Sequence, residues 1–270
     1  MTESRKRRQF NFDVVADIYD SAKYIIGPAE RLAMIGNLKP DGKILDVACG
    51  TGWATIGASK IVGASGEVIG IDLSLKMLEI AMKKTASAGI SNIKYLEGNA
   101  EALEFEEASF DNVICASSIF LLSDAENALS EWYRVLKPGG TVAFNTFGQD
   151  AFHPVSEIFH DRMVQFEEES TPRRRFSLAE PDQCKELLDN AGLINTKVIN
   201  EDLGIYLGDK EDCWKQISNE LAYRQRVASL SPTKLEAFKN EFLKDIDHLL
   251  TDQGIWVSLP VNFCIGEKPV

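Results

Sequence analysis

Short apolar runs alternate with longer amphipathic segments through the middle of the chain. Five runs have the length of buried strands, and most of the segments between them repeat apolar side chains at helical spacing. The predicted strands are Lys43–Ala48, Glu67–Ile71, Asn92–Leu96, Phe110–Ala116 and Thr141–Phe144. The predicted helices are Trp53–Ile61, Ser74–Ala88 and Ala125–Leu136. Strands that alternate with helices indicate right-handed βαβ units and a parallel, doubly wound sheet.

Two of these helices carry end signals. Ser74 is of a residue type that caps helices, and the apolar face of its helix is predicted at Leu75, Leu78 and Met82. The run Pro138-Gly139-Gly140 is expected to end the third helix, because proline and glycine disfavour continued helix.

The regions that flank this core are largely helical. Residues 10–40 predict one or two helices, and residues 147–178 predict an irregular connection. A helix over Pro181–Ala191, a sixth strand over Thr196–Ile199 and a last strand over Trp256–Ile265 are expected. Residues 209–250 read as helical, with one apolar stripe at Leu235, Phe238, Phe242, Ile246 and Leu249. An insert of about 45 residues far exceeds the usual ~2–6 between elements, and we expect it to cover an active site.

Charge and cysteine content narrow the functional classes. The 270 residues include 29 Lys and Arg against 41 Asp and Glu, a net charge of −12, which argues against a nucleic-acid partner. The five cysteines form no CxxC pair, so reduced thiols are expected rather than disulfides or a metal site. No secretory signal and no run of 18 apolar residues is found, so we expect a cytoplasmic protein without integral membrane association.

The strongest chemical signal is a glycine-rich loop between the first strand and the first helix. Gly50 and Gly52 let backbone approach a ligand closely, and the following helix start offers free N–H groups. A dinucleotide pattern would require glycine or alanine at position 55, which is Thr55. Asp46, at the end of the strand, would also place a carboxylate near a pyrophosphate. Both observations disfavour an NAD-dependent oxidoreductase.

A second acidic residue, Asp72, ends the second predicted strand. A carboxylate at this place can accept hydrogen bonds from both hydroxyls of a ribose. Together the two acids and the glycine loop indicate a nucleoside with a free ribose and no phosphate at the loop. S-adenosylmethionine matches that description.

Five ordered motifs across roughly residues 10–200 carry a family resemblance. They are DVACGTGWA, IGIDLS, GNAEALEF, FDNVICASS and LKPGG. The chain resembles the class I S-adenosylmethionine-dependent methyltransferases, and most of all the branch that includes the ubiquinone and menaquinone methyltransferases. The resemblance implies a Rossmann-like α/β fold with a seven-stranded, mostly parallel sheet whose last strand is antiparallel, together with a helical cap and insert.

The resemblance also implies roles for individual residues. Asp46 would hold the methionine amino group directly or through water, and Asp72 would bind the ribose. Leu73 would pack on the adenine, with Asn99 and Ala100 at its edge. The remaining implied contacts come from the glycine loop, the end of the fourth strand and two lid tyrosines: Ala48, Cys49, Gly50, Gly52, Cys115, Ala116, Ser117, Tyr19 and Tyr24.

The acceptor side departs from the family pattern. Many relatives carry a histidine shortly after the fourth strand, whereas the run Ile119–Leu122 is wholly apolar here. We therefore expect a largely apolar acceptor pocket, and the missing histidine weakens the case for quinone C-methylation. His153 and His160, in the connection after the fifth strand, are candidate general bases. The run Arg173–Arg175 is either a solvated loop or a clamp for an anionic acceptor.

These observations favour one domain over residues 1–270. It comprises a cap at 10–40, a cofactor-binding core at 41–200, a helical lid at 205–253 and a final strand at 254–270. The expected reaction is methyl transfer from S-adenosylmethionine to a small, largely apolar acceptor by a monomer or homodimer. A quinone-biosynthesis C-methyltransferase and a non-catalytic S-adenosylmethionine-binding module are the alternatives. Whether carbon, nitrogen or oxygen is methylated does not follow from the sequence.

Overall fold

A seven-stranded sheet organises the structure, a computed structural model that describes residues 12–167 and 177–270. In chain order the strands are β1 Lys43–Val47, β2 Glu67–Asp72, β3 Ile93–Glu97, β4 Phe110–Cys115, β5 Leu136–Phe147, β6 Ile194–Asp202, β7 Ile205–Leu207, β8 Leu250–Thr251, β9 Gly254–Val257 and β10 Pro260–Glu267. The large sheet has the order β3-β2-β1-β4-β5-β10-β6. Within the described residues, β10 alone runs opposite to the other six strands of this sheet, which confirms the predicted fold.

Helices cover both faces of the sheet. They are α1 at residues 12–19, α2 Lys23–Ile35, α3 Trp53–Val62, α4 Leu75–Ser87, α5 Ala125–Val135, α6 Val155–Met163, α7 Pro181–Asn190, α8 Lys210–Asn219, α9 Leu221–Ser229 and α10 Pro232–Asp245. Because side chains alternate along a strand, Ile44 belongs to one core and Leu45 to the other. The first core also contains Phe238 and Phe242 from the predicted apolar stripe of α10, both fully buried.

Two helix predictions need correction. Ser74 caps α4 as predicted, accepting a hydrogen bond from the Met77 amide, but the buried face is rotated. Leu75 and Met82 are 51% and 46% exposed, because the buried side chains of the helix are Met77, Leu78, Ala81 and Thr85. The spacing of apolar residues therefore predicted the helix, but it did not predict which face of the helix is buried.

The third predicted helix ends earlier than expected. α5 stops at Val135, and Leu136 is already extended and pairs with Phe110. Pro138-Gly139-Gly140 lies within β5, at a register shift between two pairs of β4 and β5, rather than immediately after the helix. The residue before a proline is disfavoured in helical conformation, which accounts for an extended approach to Pro138.

The region after β5 is more ordered than predicted. Helix α6 lies within the expected irregular connection, and the expected last strand is two strands, β9 and β10, in different sheets. Asp202 fixes the turn between them by accepting hydrogen bonds from the Ser258 hydroxyl and the Leu259 amide, at 2.8 and 2.7 Å. β9 pairs with β7 and β8 in a small antiparallel sheet that was not predicted.

Two points concern predictions about partners. The Arg173–Arg175 run lies outside the described residues. Over the two described ranges, no helix has the length and apolar character needed to cross a bilayer.

Candidate cofactor and acceptor site

The glycine loop adopts a conformation that few side chains permit. Between β1 and α3, Ala48, Gly50 and Gly52 have φ values of +52°, +54° and +85°. A Cβ at Gly52 would lie 2.5 Å from the Tyr95 hydroxyl oxygen, so this position requires glycine. The loop therefore exposes backbone at the carboxyl edge of the sheet, where ligands bind in open α/β folds.

Asp72 joins the end of β2 to this loop. Its carboxylate accepts hydrogen bonds from the Gly50 amide at 2.8 Å and from the Ser74 amide at 2.9 Å. Burial raises the pKa of Asp72, and these backbone hydrogen bonds oppose that effect. The sequence predicted Asp72 as a ligand contact. It did not predict the hydrogen bond between the Gly50 amide and Asp72, because no local sequence pattern indicates that contact.

A cavity of about 640 Å³ lies beside Asp72, and we call it the nucleoside cavity. The predicted contacts Leu73, Asn99 and Ala100 line it together with Asp72. Asn99 Oδ1 already accepts from the Glu101 amide at 3.2 Å. The cavity thus brings together the residues that the family resemblance assigned to ribose and adenine.

Asp46 is completely buried behind the loop. Its Oδ2 accepts a 2.5 Å hydrogen bond from the Thr55 hydroxyl, while Oδ1 has no hydrogen-bond partner within the described part of the chain. Burial raises the pKa of Asp46 to about 7. A buried carboxylate oxygen without a donor fits a ligand with an ammonium group. Thr55, which counted against a dinucleotide site, therefore has a role of its own in orienting Asp46.

A smaller cavity of about 340 Å³ continues from the nucleoside cavity along the glycine loop. Five more predicted residues line it: Ala48, Cys49, Gly50, Ala116 and Ser117. Gly52 starts α3 next to them. Cys115, in contrast, is fully buried within β4 and is not among the lining residues of these cavities.

The N-terminal cap contacts the glycine loop through Tyr19 and Asp20. Tyr19 lines both cavities described so far, and burial raises its pKa. Asp20, which the sequence reasoning missed, accepts from the Thr51 hydroxyl at 2.6 Å and from the Trp53 indole at 2.9 Å. Its other carboxylate oxygen lies 2.7 Å from the Lys84 ammonium. Asp20 therefore fastens the cap to the glycine loop.

A third cavity of about 790 Å³ adjoins the other two, and we call it the acceptor cavity. It shares Tyr19, Ile25 and Ser117 with the small cavity, and Tyr19 and Leu121 with the nucleoside cavity. Its remaining walls come from the cap, the segment after β4, the end of β5 and helix α8: Val15, Ile18, Ser21, Ala22, Tyr24, Phe120, Phe147, Lys215, Gln216, Asn219 and Glu220.

Tyr24 forms part of an aromatic wall in the acceptor cavity. Its ring meets Phe152 edge-on at 4.7 Å and Phe147 at 6.3 Å between centroids. Burial raises the pKa of the Tyr24 hydroxyl, and the charge of Glu220 raises it further. The two predicted lid tyrosines thus lie at the acceptor cavity, but only Tyr19 also reaches the nucleoside cavity.

The structure does not bring the two candidate histidines to this site. His153 is 48% exposed, and its Nδ1 lies 3.3 Å from a Glu157 oxygen. His160 Nδ1 lies 3.1 Å from a guanidinium nitrogen of Arg226. Neither residue is among those that line the three cavities.

Comparison with known proteins gives a consistent picture. The profile of the ubiE/COQ5 methyltransferase family matches residues 9–167. Demethylmenaquinone methyltransferases of Staphylococcus aureus strains are 38% identical over 185 residues, which cover 63% of this chain and 76% of theirs.

Two solved structures have a similar fold. The YcgJ protein of Bacillus subtilis superposes with a TM-score of 0.59 at 20% identity, over 90% of this chain and 98% of that one. Phosphoethanolamine N-methyltransferase 2 of Haemonchus contortus, solved with S-adenosyl-L-methionine, gives a TM-score of 0.61 at 20% identity, over 100% of this chain and 61% of that one. At these identities the likeness concerns the fold.

Proposed function

The chain belongs to the ubiE/COQ5 methyltransferase family and is an S-adenosylmethionine-dependent methyltransferase, and we propose that it methylates a small, largely apolar acceptor. The observation that carries the proposal is the continuity of the three cavities. Tyr19 lines all of them, so a ligand in the acceptor cavity adjoins one that extends along the glycine loop.

S-adenosylmethionine, when bound, supplies a methyl group on a positively charged sulfur. Asp72 is suited to receive its ribose hydroxyls, and the partnerless Oδ1 of Asp46 is suited to its ammonium group, directly or through water. Leu73, Asn99 and Ala100 surround the space for the base. These assignments use side chains that already face the cavities or lie buried next to them.

The contribution of the protein to the reaction is mainly positional. Tyr19 and the cap cover the loop, exclude water, and hold the two ligands side by side. Alignment of reacting groups supplies about 7–11 kcal/mol of barrier reduction in well-oriented systems. Asp20 supports this role, because it ties the cap to Thr51 and Trp53 of the loop region.

The walls of the acceptor cavity favour an apolar acceptor. Phe120 and Leu121, from the apolar run that replaces the family's histidine, line the cavity together with Tyr24 and Phe147, and the Phe120 and Phe147 ring centroids are 5.7 Å apart. The charged side chains among the lining residues, Lys215 and Glu220, belong to α8 and its C-terminal end, so an anionic or strongly polar group placed against the aromatic wall would lose hydration without compensation.

A quinone precursor is the second candidate acceptor. The 38% identical Staphylococcus aureus relatives are demethylmenaquinone methyltransferases, and a naphthoquinol is itself small and largely apolar. The apolar Ile119–Leu122 run, without histidine, is the feature that separates this chain from that family pattern.

The experiment is a methyl-transfer assay in which S-adenosylhomocysteine formation is followed by mass spectrometry. Acceptors are a reduced, prenylated demethylnaphthoquinone and a panel of terpenoid, indole and phenolic compounds, with Asp72→Ala as the inactive control. We expect acceptor-dependent product with at least one compound. Turnover of the naphthoquinol alone would favour the quinone candidate. Tight S-adenosylhomocysteine binding without product from any acceptor would favour a non-catalytic binding module instead.

A further inference from the structure

Glu220 is the one acidic residue among those that line the acceptor cavity, at the end of a helix whose Lys215, Gln216 and Asn219 also line it. Glu220 is only 7% exposed and occupies the junction between α8 and α9. Its backbone is extended, with φ −60° and ψ 138°. Its amide donates to the Ile217 carbonyl at 3.1 Å, and its carbonyl accepts from the Arg224 amide at 2.9 Å. The backbone that carries this carboxylate is therefore fixed from both sides.

The helix that presents Glu220 is fastened to the opposite wall of the cavity. Gln216 donates to the Ser21 carbonyl at 2.9 Å and accepts from the Lys23 amide at 3.2 Å. The Lys23 ammonium also lies 2.7 Å from an Asp212 carboxylate oxygen. These contacts hold α8 against the start of α2, so Glu220 and Tyr24 keep a defined relation across the cavity.

A mostly buried carboxylate in a cavity wall can select a ligand by the position of its hydrogen-bond donor. Removal of a charge from water is costly unless hydrogen-bond donors replace the lost hydration. Charge-assisted hydrogen bonds are the strong class, and a carboxylate offers about four acceptor positions, more than a single neighbour uses. Glu220 and Tyr24 line the same cavity, and after burial the Glu220 charge is the next cause that raises the pKa of Tyr24.

Building on the proposed function, we infer that Glu220 determines acceptor specificity by accepting a hydrogen bond from an O–H or N–H group of the acceptor. The acceptor is then an apolar, aromatic-sized molecule with one donor group directed at α8. Its apolar body packs against Tyr24, Phe120 and Phe147. Glu220 acts in binding and orientation, whichever atom receives the methyl group.

The test is calorimetric titration of the full chain saturated with S-adenosylhomocysteine. The probes are 2-naphthol, 1-naphthylmethylamine and 2-methoxynaphthalene, the last of which lacks a donor. We expect the parent to bind one donor-bearing probe roughly tenfold or more tightly than the ether. Glu220→Gln should lower that preference by about tenfold while the ether binds as before. Glu236→Gln, at an exposed glutamate of α10, is the matched control and should leave the preference unchanged.

The outcomes separate this inference from the function beneath it. The hydroxyl and amine probes distinguish the two sources of a donor group. Equal binding of donor and ether probes by the parent, or an unchanged preference in Glu220→Gln, would overturn the role of Glu220 and leave methyl transfer intact. Failure of the parent to bind any probe would contradict both the acceptor cavity and the role of Glu220. Retained S-adenosylhomocysteine binding by Glu220→Gln shows that the variant is folded.

Discussion

The buried carboxyl group of Asp46 allows us to predict how the free energy of unfolding changes with pH. Its folded-state pKa of about 7 lies above the ordinary value of 3.8, chiefly because burial disfavours the charged form. The folded protein therefore holds this proton more tightly than the unfolded chain does. Stability from this group is greatest below about 3.8 and declines as pH rises, until the carboxyl is ionised in both states just above about 7.

The magnitude follows from the pKa difference. One pKa unit corresponds to about 1.4 kcal/mol, so full ionisation costs the folded state about 4 kcal/mol. Roughly 2 kcal/mol of this loss falls between about pH 5.5 and about pH 8.5, a convenient experimental range. Asp46→Asn removes the titration but keeps an oxygen for the Thr55 hydroxyl. Burying the amide of Asp46→Asn has a free-energy cost that does not depend on pH. This cost therefore does not affect how the difference in unfolding free energy between parent and variant changes with pH.

The assay is urea unfolding of the cofactor-free protein, followed by circular dichroism at several pH values. The parent should lose about 2 kcal/mol relative to Asp46→Asn over that range. Asp252→Asn, at an exposed position, serves as the control and should run parallel to the parent. Parallel curves for the parent and Asp46→Asn would refute the reasoning, since they would mean that Asp46 does not ionise at a cost.

The same carboxyl links stability to cofactor binding. If the ammonium of S-adenosylhomocysteine pairs with ionised Asp46, its affinity for the parent should rise as pH increases through about 7. In Asp46→Asn the affinity should be lower and should lack this rise. Calorimetric titration at the two ends of the pH range measures both effects, and a pH dependence that survives in the variant would assign it to another group.

Three further changes test other parts of the site. Asp72→Ala removes the acceptor for two backbone amides as well as the proposed ribose contact, so calorimetry should show S-adenosylhomocysteine binding weakened by about tenfold or more. Asp20→Ala should lower the unfolding free energy by about 1–3 kcal/mol, because the buried Thr51 hydroxyl and the partly buried Trp53 indole lose their acceptor, whereas the exposed Asp17→Ala should not. His153→Ala and His160→Ala should keep turnover at neutral pH within about twofold, since neither side chain lines a cavity; a large loss in either would restore a general-base role.

The cofactor half of the site could be predicted from the sequence because its signals are local. Asp46 is the last residue but one of β1 and Asp72 is the last residue of β2, and parallel strands bring those ends to one edge of the sheet. Each position is thus defined by its neighbours in the chain.

Contacts between distant segments could not be predicted in this way. Asp20 reaches Thr51 across 31 positions, and Gln216 reaches Ser21 across 195. The expected last strand contains a turn held by Asp202, which no periodicity of Trp256–Ile265 reveals. In each case, the interaction that decides the local structure comes from a residue outside the window that a pattern uses.

The family profile covers the cofactor site more fully than it covers the acceptor cavity. The family profile matches residues 9–167, which include the glycine loop, both acids and the cap, but not α8. Glu220 and Gln216 lie beyond that match, and they form the wall that faces Tyr24. Membership of the family therefore accounts for the cofactor and the reaction, while the α8 part of the acceptor cavity lies outside the residues that the profile matches. For that reason, the acceptor of the Staphylococcus aureus relatives is a candidate to be assayed together with aromatic compounds that carry a donor group for Glu220.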